Sequence, residues 1–406
     1  VSRSRYLKDT DCTFCGQCVT HCPTGALTIR DDTGRVLKAL EDPEITTVVQ
    51  VAPAVRVAWA EGWGLGSKYA TACRIVTALK RMGFDYVFDT NFTADLTIME
   101  EGTEFIHRFT HRGEHSWPMF TSCCPGWVRF LKTQYPDYTE NLSTAKSPQQ
   151  MFGAVAKSYF AKKMGIDPEK IVNVALTPCT AKKFEIRRAE MNASGRELGI
   201  PTMRDMDQVI TTRELALWAK EEGVNFTSLP DSDYDRLMGE ASGAGVIFGN
   251  TGGVMEAALR TAYAFITGQQ PPEALLDLQP VRGYDGIREA SLDINGMTVN
   301  VAVVYGTANA RKMIERVKSG EKQYHFIEVM TCPGGCIGGG GQPRDILADA
   351  DEARKARINS LYQRDADMKQ RLSHENQEIK QLYEEFYGQP LSCLLYKTDD
   401  ADEIHR

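Results

Sequence analysis

The sequence predicts an α/β fold with mostly parallel sheets, preceded by a small cysteine-rich segment and followed by a charged helical tail. Three observations predict it. Short apolar runs alternate with stretches of helical length through the middle of the chain, the pattern of sheets covered by helices. Cys12, Cys15, Cys18 and Cys22 crowd ahead of that pattern, and beyond Asp351 the composition turns to charged helix formers. At 406 residues the chain exceeds a usual single core, which favours two lobes with small appendages.

Taken in order, the first forty residues are cysteine-rich and end in turn chemistry at DDTG, residues 31–34. TTVVQVAPAVRVAWA, 46–60, alternates and then runs apolar, and reads as a buried strand that opens the main domain. Further strands are expected at 172–176, 245–248 and 299–304. Helices are expected at TRELALWAKEEG, 212–223, and TGGVMEAALRTAYAF, 251–265. SHENQEIKQLYEEFYG, 373–388, is a tail helix closed by a Gly and Pro stop. The resulting division is 1–42, 43–350 and 351–406. Repeats at solenoid periods and low-complexity tracts are absent from the sequence.

The net charge of -7 argues against a nucleic-acid surface. No run approaches the roughly 18 apolar residues of a membrane helix. Eleven cysteines, many beside Pro or Gly, point to metal or redox chemistry in a reducing compartment. Cytoplasmic placement is therefore expected, with the periplasm left open because the first residue is Val1, not Met.

DCTFCGQCVTHCPTGA spaces Cys12, Cys15, Cys18 and Cys22 as C-x2-C-x2-C-x3-C-P, the bacterial ferredoxin run that wraps a 4Fe-4S cube. Structural zinc prefers two separated C-x2-C pairs. In the two-cluster ferredoxin fold the fourth cysteine serves a neighbouring cluster. With one such run present, either Cys22 completes a single cluster or the segment is part of a longer ferredoxin-like domain.

TSCCPGW, 121–127, sets Cys123 beside Cys124. Neighbouring side chains leave the backbone in different directions, so two separate roles are expected, and a vicinal disulfide is sterically awkward. Cys179 lies in LTPCTAKKFE, and Cys332 and Cys336 lie in EVMTCPGGCIGGGGQP. Flanking Pro and Gly let the backbone approach a bulky inorganic group.

TSCCPGW, PCTAKKFE and EVMTCPGGCIGGGGQP resemble the three signature motifs of the iron-iron (FeFe) hydrogenases, in that order, and the similarity runs from the ferredoxin segment almost to the carboxyl end. The resemblance implies a two-lobed hydrogenase domain behind a partial ferredoxin-like domain. It implies an H-cluster, a 4Fe-4S cube joined to a diiron unit with carbonyl, cyanide and an amine-containing dithiolate. Its cube ligands would be Cys124, Cys179, Cys332 and Cys336, the last bridging to the diiron unit. The implied reaction interconverts dihydrogen with two protons and two electrons. Electrons would pass through the amino-terminal 4Fe-4S cluster to ferredoxin or partner subunits, and dedicated maturation proteins would build the diiron unit.

Under the same resemblance Cys123 is a free thiol and first proton relay, since a thiol with an ordinary pKa near 8.5 exchanges protons close to neutrality. Glu101, Ser143, Glu104 and Arg108 continue the path. Spacing alone puts Glu101, Glu104 and Arg108 on one helix face that would otherwise read as solvated surface. Lys182 would donate to a cyanide, the backbone after Pro53 around Ala54 would anchor a second, and Met330 and Phe248 would pack against the diiron unit. Thr177 stands where the family usually has methionine, and Gly338 where asparagine is frequent, a change expected to weaken a turn contact at most. Cys73 and Cys393 read as small buried hydrophobes. His107, His111 and His115 recur at i+4 and could be a zinc face, but they lack an H-E-x-x-H. The glycine-rich stretches ASGAGVIFGNTGG and GGCIGGGGQP fail the nucleotide-loop patterns. Two other functional classes share the motifs: a hydrogen sensor, which usually alters the relay, and a non-catalytic iron-sulfur assembly protein, which lacks the relay cysteine.

Overall fold

The computed structural model describes residues 6–65, 71–344, 349–391 and 395. Eight strands form two four-stranded sheets: β1 Thr46–Val51, β2 Tyr86–Asp89, β3 Met119–Phe120, β4 Ile171–Thr177, β5 Gln208–Thr211, β6 Ile287–Ile294, β7 Met297–Tyr305 and β8 Phe326–Met330. The first sheet has the order β2-β1-β4-β5 and is parallel throughout. The second has the order β3-β8-β7-β6, parallel except for the β6/β7 hairpin.

Both faces of each sheet are covered, which explains strands that read as nearly continuous apolar runs. In β1, Val48 packs into one core while Val49 and Val51 pack into the core on the opposite face. In β8, Phe326 and Met330 face one core and Ile327 and Val329 the other. Helix Thr90–Thr110 follows β2 and is buried for most of its length. The long tail helix Ala350–Asp367 packs against the short helix Gly243–Ile247.

Three sequence expectations are corrected. Residues 245–248 are not a strand: they lie at the end of helix Gly243–Ile247, because glycines and a Ser242 held by the Asp95 carboxylate favour a tight helical turn. The strand beginning at Thr46 stops at Val51, where Pro53 cannot supply the ladder N–H. DDTG does not end a segment but starts one: Asp31 accepts from the Thr33 N–H and hydroxyl, and helix Thr33–Leu40 opens there. The expected strands at 172–176 and 299–304 lie within β4 and β7, and the helices Thr212–Glu221 and Gly253–Thr267 form where they are expected. The tail segment 373–388 breaks into a 3-10 turn, a short α-helix Gln377–Leu382 and a π turn. Cys73 is half-buried rather than buried, and Cys393 lies outside the described residues. Among the described residues no helix is long and apolar enough to cross a membrane.

Candidate active site

Four parallel strands from the two sheets end at one cavity. The carboxyl end of β1 leads into Ala52, Pro53 and Ala54, β4 into Thr177 and Cys179, β3 into Cys123 and Cys124, and β8 into Thr331, Cys332 and Cys336, all of which line it. Ligand sites of open parallel sheets form outside such strand ends. Phe248, Met330 and Lys182 complete part of the wall. The sheet order thereby gathers residues from both halves of the sequence around one space.

All the cysteines described are free thiols. Burial and the neighbouring Cys124 push Cys336 up to about 12, and burial plus adjacent thiols push Cys179 and Cys332 up as well. Cys179, Cys332 and Cys336, desolvated and close together, ionise readily only if a cationic group shares the space. Among the described residues no three His, Cys, Asp or Glu side chains close around a single metal ion. The thiols surround a volume, which suits a multinuclear cluster and disfavours one zinc. Gln149 also faces this cavity, and its Oε1 is buried without a hydrogen-bond partner among the described residues.

Cys123 differs from its neighbour. The Cys124 sulfur lies 3.3 Å from the Thr331 hydroxyl and accepts from the Thr331 N–H, whereas Cys123 packs with Phe248 and Met330. Burial, then the Glu101 carboxylate, push the Cys123 thiol well above its ordinary value. The expectation of a thiol titrating near neutrality is therefore corrected: Cys123 holds its proton firmly in this desolvated, acidic setting.

Glu101, Glu104 and Arg108 share helix Thr90–Thr110 and are all buried, so the reading of a solvated surface face is overturned. Helices Pro148–Val155 and Gly253–Thr267 pack against this helix. Ser143 Oγ donates to Glu104 Oε2 at 2.8 Å, the Thr144 N–H donates at 3.1 Å, and Arg108 pairs with Glu104 at 2.6 Å. Arg108 also donates to the carbonyls of Glu140 and Leu142, near the exposed side of the turn Pro136–Asn141. The structure thus joins Ser143, Glu104 and Arg108 in one buried group, while Glu101, one turn before Glu104 on the same helix, is electrostatically coupled to Cys123.

Lys182 donates to the Cys123 carbonyl at 3.2 Å and to Glu185 at 2.9 Å. Burial works against the ammonium, but the Glu185 carboxylate holds its pKa above that of an ordinary lysine. Glu185, which sequence reasoning passed over, also accepts from Ser147 and Gln149. The Thr177 hydroxyl accepts from the Cys179 N–H, so its polarity is partly spent on the loop. A side chain at Gly338 would sit 2.1 Å from the Pro333 carbonyl. Gly338 is therefore sterically required here, a correction to its reading as a weak turn contact. The Gly338 carbonyl accepts from Gln17 of the amino-terminal segment.

That segment packs tightly on the cavity's outer wall. A Cβ at Gly340 would meet the Cys15 carbonyl at 2.3 Å, Thr180 donates to the Phe14 carbonyl at 2.6 Å, and Cys15 is among the neighbouring thiols that push up Cys332. Arg129, missed in the sequence, donates to the Cys12, Lys8 and Thr10 carbonyls and lies over Phe14 and Phe184. Cys12 and Cys18 line one small cavity, while Cys22 sits 3.5 Å from the Thr24 hydroxyl, where that hydroxyl and the Leu27 backbone lower its pKa to about 7. His107 and His111 stack, and with His115 they do not enclose a metal ion, so the zinc reading falls.

The model of the iron only hydrogenase large subunit, C-terminal domain, matches residues 45–340. The chain belongs to the iron-iron hydrogenase family. Models of a 4Fe-4S binding domain and of the iron hydrogenase small subunit match residues 6–28 and 351–394. The NADP-reducing hydrogenase subunit HndD of Solidesulfovibrio fructosivorans is 48% identical over 95% of the chain, and iron hydrogenase 1 of Clostridium pasteurianum 46% identical over 91%. The chain spans 65% and 62% of the length of these two relatives. A solved structure of a variant of the apo [FeFe]-hydrogenase HydA1 from Chlamydomonas reinhardtii is 43% identical with a TM-score of 0.79, covering 90% of this chain and 98% of that one. Bos taurus cytosolic iron-sulfur assembly component 3 is more distant, 32% identical over 82% of the chain and 71% of its own length.

Membership gives this hydrogenase-family chain two kinds of cofactor, a 4Fe-4S cluster and an H-cluster. The donor set fits them: four thiols lining one cavity, a lysine held at its wall, and a polar wall atom left unbonded among the described residues.

Proposed function

We propose that this chain catalyses the reversible interconversion of dihydrogen with two protons and two electrons. When bound, the H-cluster would supply the redox chemistry that interconverts dihydrogen with protons and electrons. Cys124, Cys179, Cys332 and Cys336 would hold this unit. Lys182, anchored by Glu185, presents a buried cation to that unit, and charge-assisted bonds to an anionic ligand are strong at low dielectric. Pro53, Ala54, Thr177, Phe248 and Met330 close the wall and exclude water. Cys12, Cys15, Cys18 and Cys22 would hold the amino-terminal cluster, which exchanges electrons with a ferredoxin or a partner subunit.

Cys123 donates or receives the proton at its sulfur, because a firmly protonated thiol next to a carboxylate is a donor that can be reloaded. Glu101 reloads it, and Ser143 and Glu104 pass the proton between Glu101 and the outer side of the path, where the Arg108 guanidinium holds the Glu104 carboxylate in place. The observation that carries this reading is the buried Ser143, Glu104 and Arg108 group together with the electrostatic coupling of Glu101, one turn away on the same helix, to Cys123. An arrangement of this kind is superfluous in a protein that only stores or assembles clusters.

The test is Cys123→Ser. Hydrogen evolution should fall by a factor of about 100 or more, the usual reach of a positioned acid, while the iron content stays at the parental value. Parental turnover in that variant would remove the relay. Loss of iron together with turnover would instead make Cys123 a structural residue.

A further inference from the structure

The three histidines left over from the zinc reading sit where the proposed proton file meets the surface. We propose that His107, His111 and His115 form a proton-collecting surface that loads Glu104 from solvent during hydrogen evolution and unloads it during uptake. This rests on the reading of Glu104 and Arg108 as the outer end of the path.

Four observations carry it. His111 follows Glu104 by seven residues, two turns along the same side of helix Thr90–Thr110, and caps its carboxyl end. Its Nδ1 lies 2.9 Å from the His107 carbonyl, an acceptor without a proton, so Nδ1 carries the hydrogen and a neutral His111 keeps its Nε2 lone pair for solvent. The His107 and His111 rings stack with centroids 4.6 Å apart and planes 25° apart, which sets the two imidazoles side by side at the end of the helix. His115 closes on His107 at 5.8 Å, and its Nε2 is buried with no hydrogen-bond partner among the described residues.

The charges around the cluster suit the task. Burial, then Arg108 and His107, lower the pKa of His115, while Glu114 and Glu104 raise it. From other elements, Arg112 lies over Phe109, Glu140 accepts Arg108 through its carbonyl, and His325 packs edge-on to Phe109 and Trp117. Imidazole is the side chain that ordinarily exchanges protons with solvent close to neutrality. In evolution a buffer acid gives its proton to a neutral imidazole, and the imidazolium gives that proton up to the buried Glu104 carboxylate. The neutral imidazole and the conjugate base of the buffer remain, and no electron moves. Arg108 cannot carry the proton itself, since its guanidinium does not deprotonate.

The experiment compares the parent, the triple variant His107→Gln, His111→Gln, His115→Gln, and Glu104→Gln, all matured to the same iron content. Dye-driven hydrogen evolution is measured at low and high imidazole buffer between about pH 5 and 8, where histidine titrates. Glu104→Gln should be slow at every buffer concentration. The triple variant should be slowed about threefold or more in dilute buffer and recover in concentrated imidazole, an effect within the range of general acid catalysis. A slow Glu104→Gln with an unslowed triple variant would overturn the histidine surface and leave the path standing. A fast Glu104→Gln would overturn both. Nitrogen NMR of the histidine-labelled parent provides a readout apart from turnover: the Nδ1-protonated tautomer of His111 is expected, and the Nε2-protonated form would contradict the proposal.

Discussion

Glu185 shows how much of the site depends on residues that carry no signature of their own. Its carboxylate gathers the Lys182 ammonium, the Ser147 hydroxyl and the Gln149 amide at one oxygen. Removing one partner of a buried pair leaves the other charge uncompensated, a cost of about 3 kcal/mol or more. Glu185→Gln should therefore destabilise the protein by about that amount in anaerobic urea unfolding. Lys182→Met combined with Glu185→Gln should regain part of the loss, because an apolar pair of similar volume no longer buries a lone charge. A double variant as unstable as the single one would show that the pair is not the source.

The cysteines that line the cavity and the order of their motifs were legible in the sequence because their Pro and Gly neighbours are local signals. Glu185 and Arg129 were not, because their partners are set by the fold: Arg129 reaches the Cys12 carbonyl across 117 positions of chain. The pKa of Cys123 was misjudged for a related reason, since desolvation is a property of the folded cavity. Gly338 looked dispensable until the Pro333 carbonyl was placed against it.

At the scale of elements, β8 and helix Gly253–Thr267 are locked by Glu328, whose carboxylate accepts the Gly252 N–H at 2.6 Å and the Met255 N–H at 2.8 Å. Burial raises its pKa from 4.5 to about 7, although those N–H groups and Arg288 pull the other way. A folded pKa above the unfolded one means that the folded state favours the neutral carboxyl. The stabilisation is complete below pH 4.5 and is lost as pH rises through 7. Stability of the parent relative to Glu328→Gln should accordingly fall by about 3 kcal/mol between about pH 4 and 8. A difference independent of pH would mean that Glu328 stays ionised in the folded protein.

Strand identity was read well where a run is apolar on both faces, as in β4 and β7. It failed at 245–248, where VIF looks like a strand but the flanking glycines and the Asp95 to Ser242 contacts make a helix. Helix Thr90–Thr110 was readable as a helix, yet the burial of its charged face came from the elements packed on it. Periodicity reports which residues share a face, and not what covers that face.

For the whole molecule, two sheets aim their strand ends at one cavity, the amino-terminal cysteine segment closes its outer wall, and the tail is fastened across the back. Arg260 pairs with Asp365 at 2.7 Å and with Glu256 at 2.5 Å, and Glu378 accepts three backbone N–H groups from 237–240. Under the proposed function, this arrangement would bring an electron entry, a cluster cavity and a proton path together in one chain. The most direct test is the infrared spectrum of the anaerobically matured protein, in the window where metal-bound carbonyl and cyanide absorb. Hydrogen chemistry at an H-cluster predicts bands there that change when dihydrogen is admitted. Their absence, in a preparation that matures a control hydrogenase fully, would contradict the proposed activity and leave a protein that holds cubes without the diiron unit.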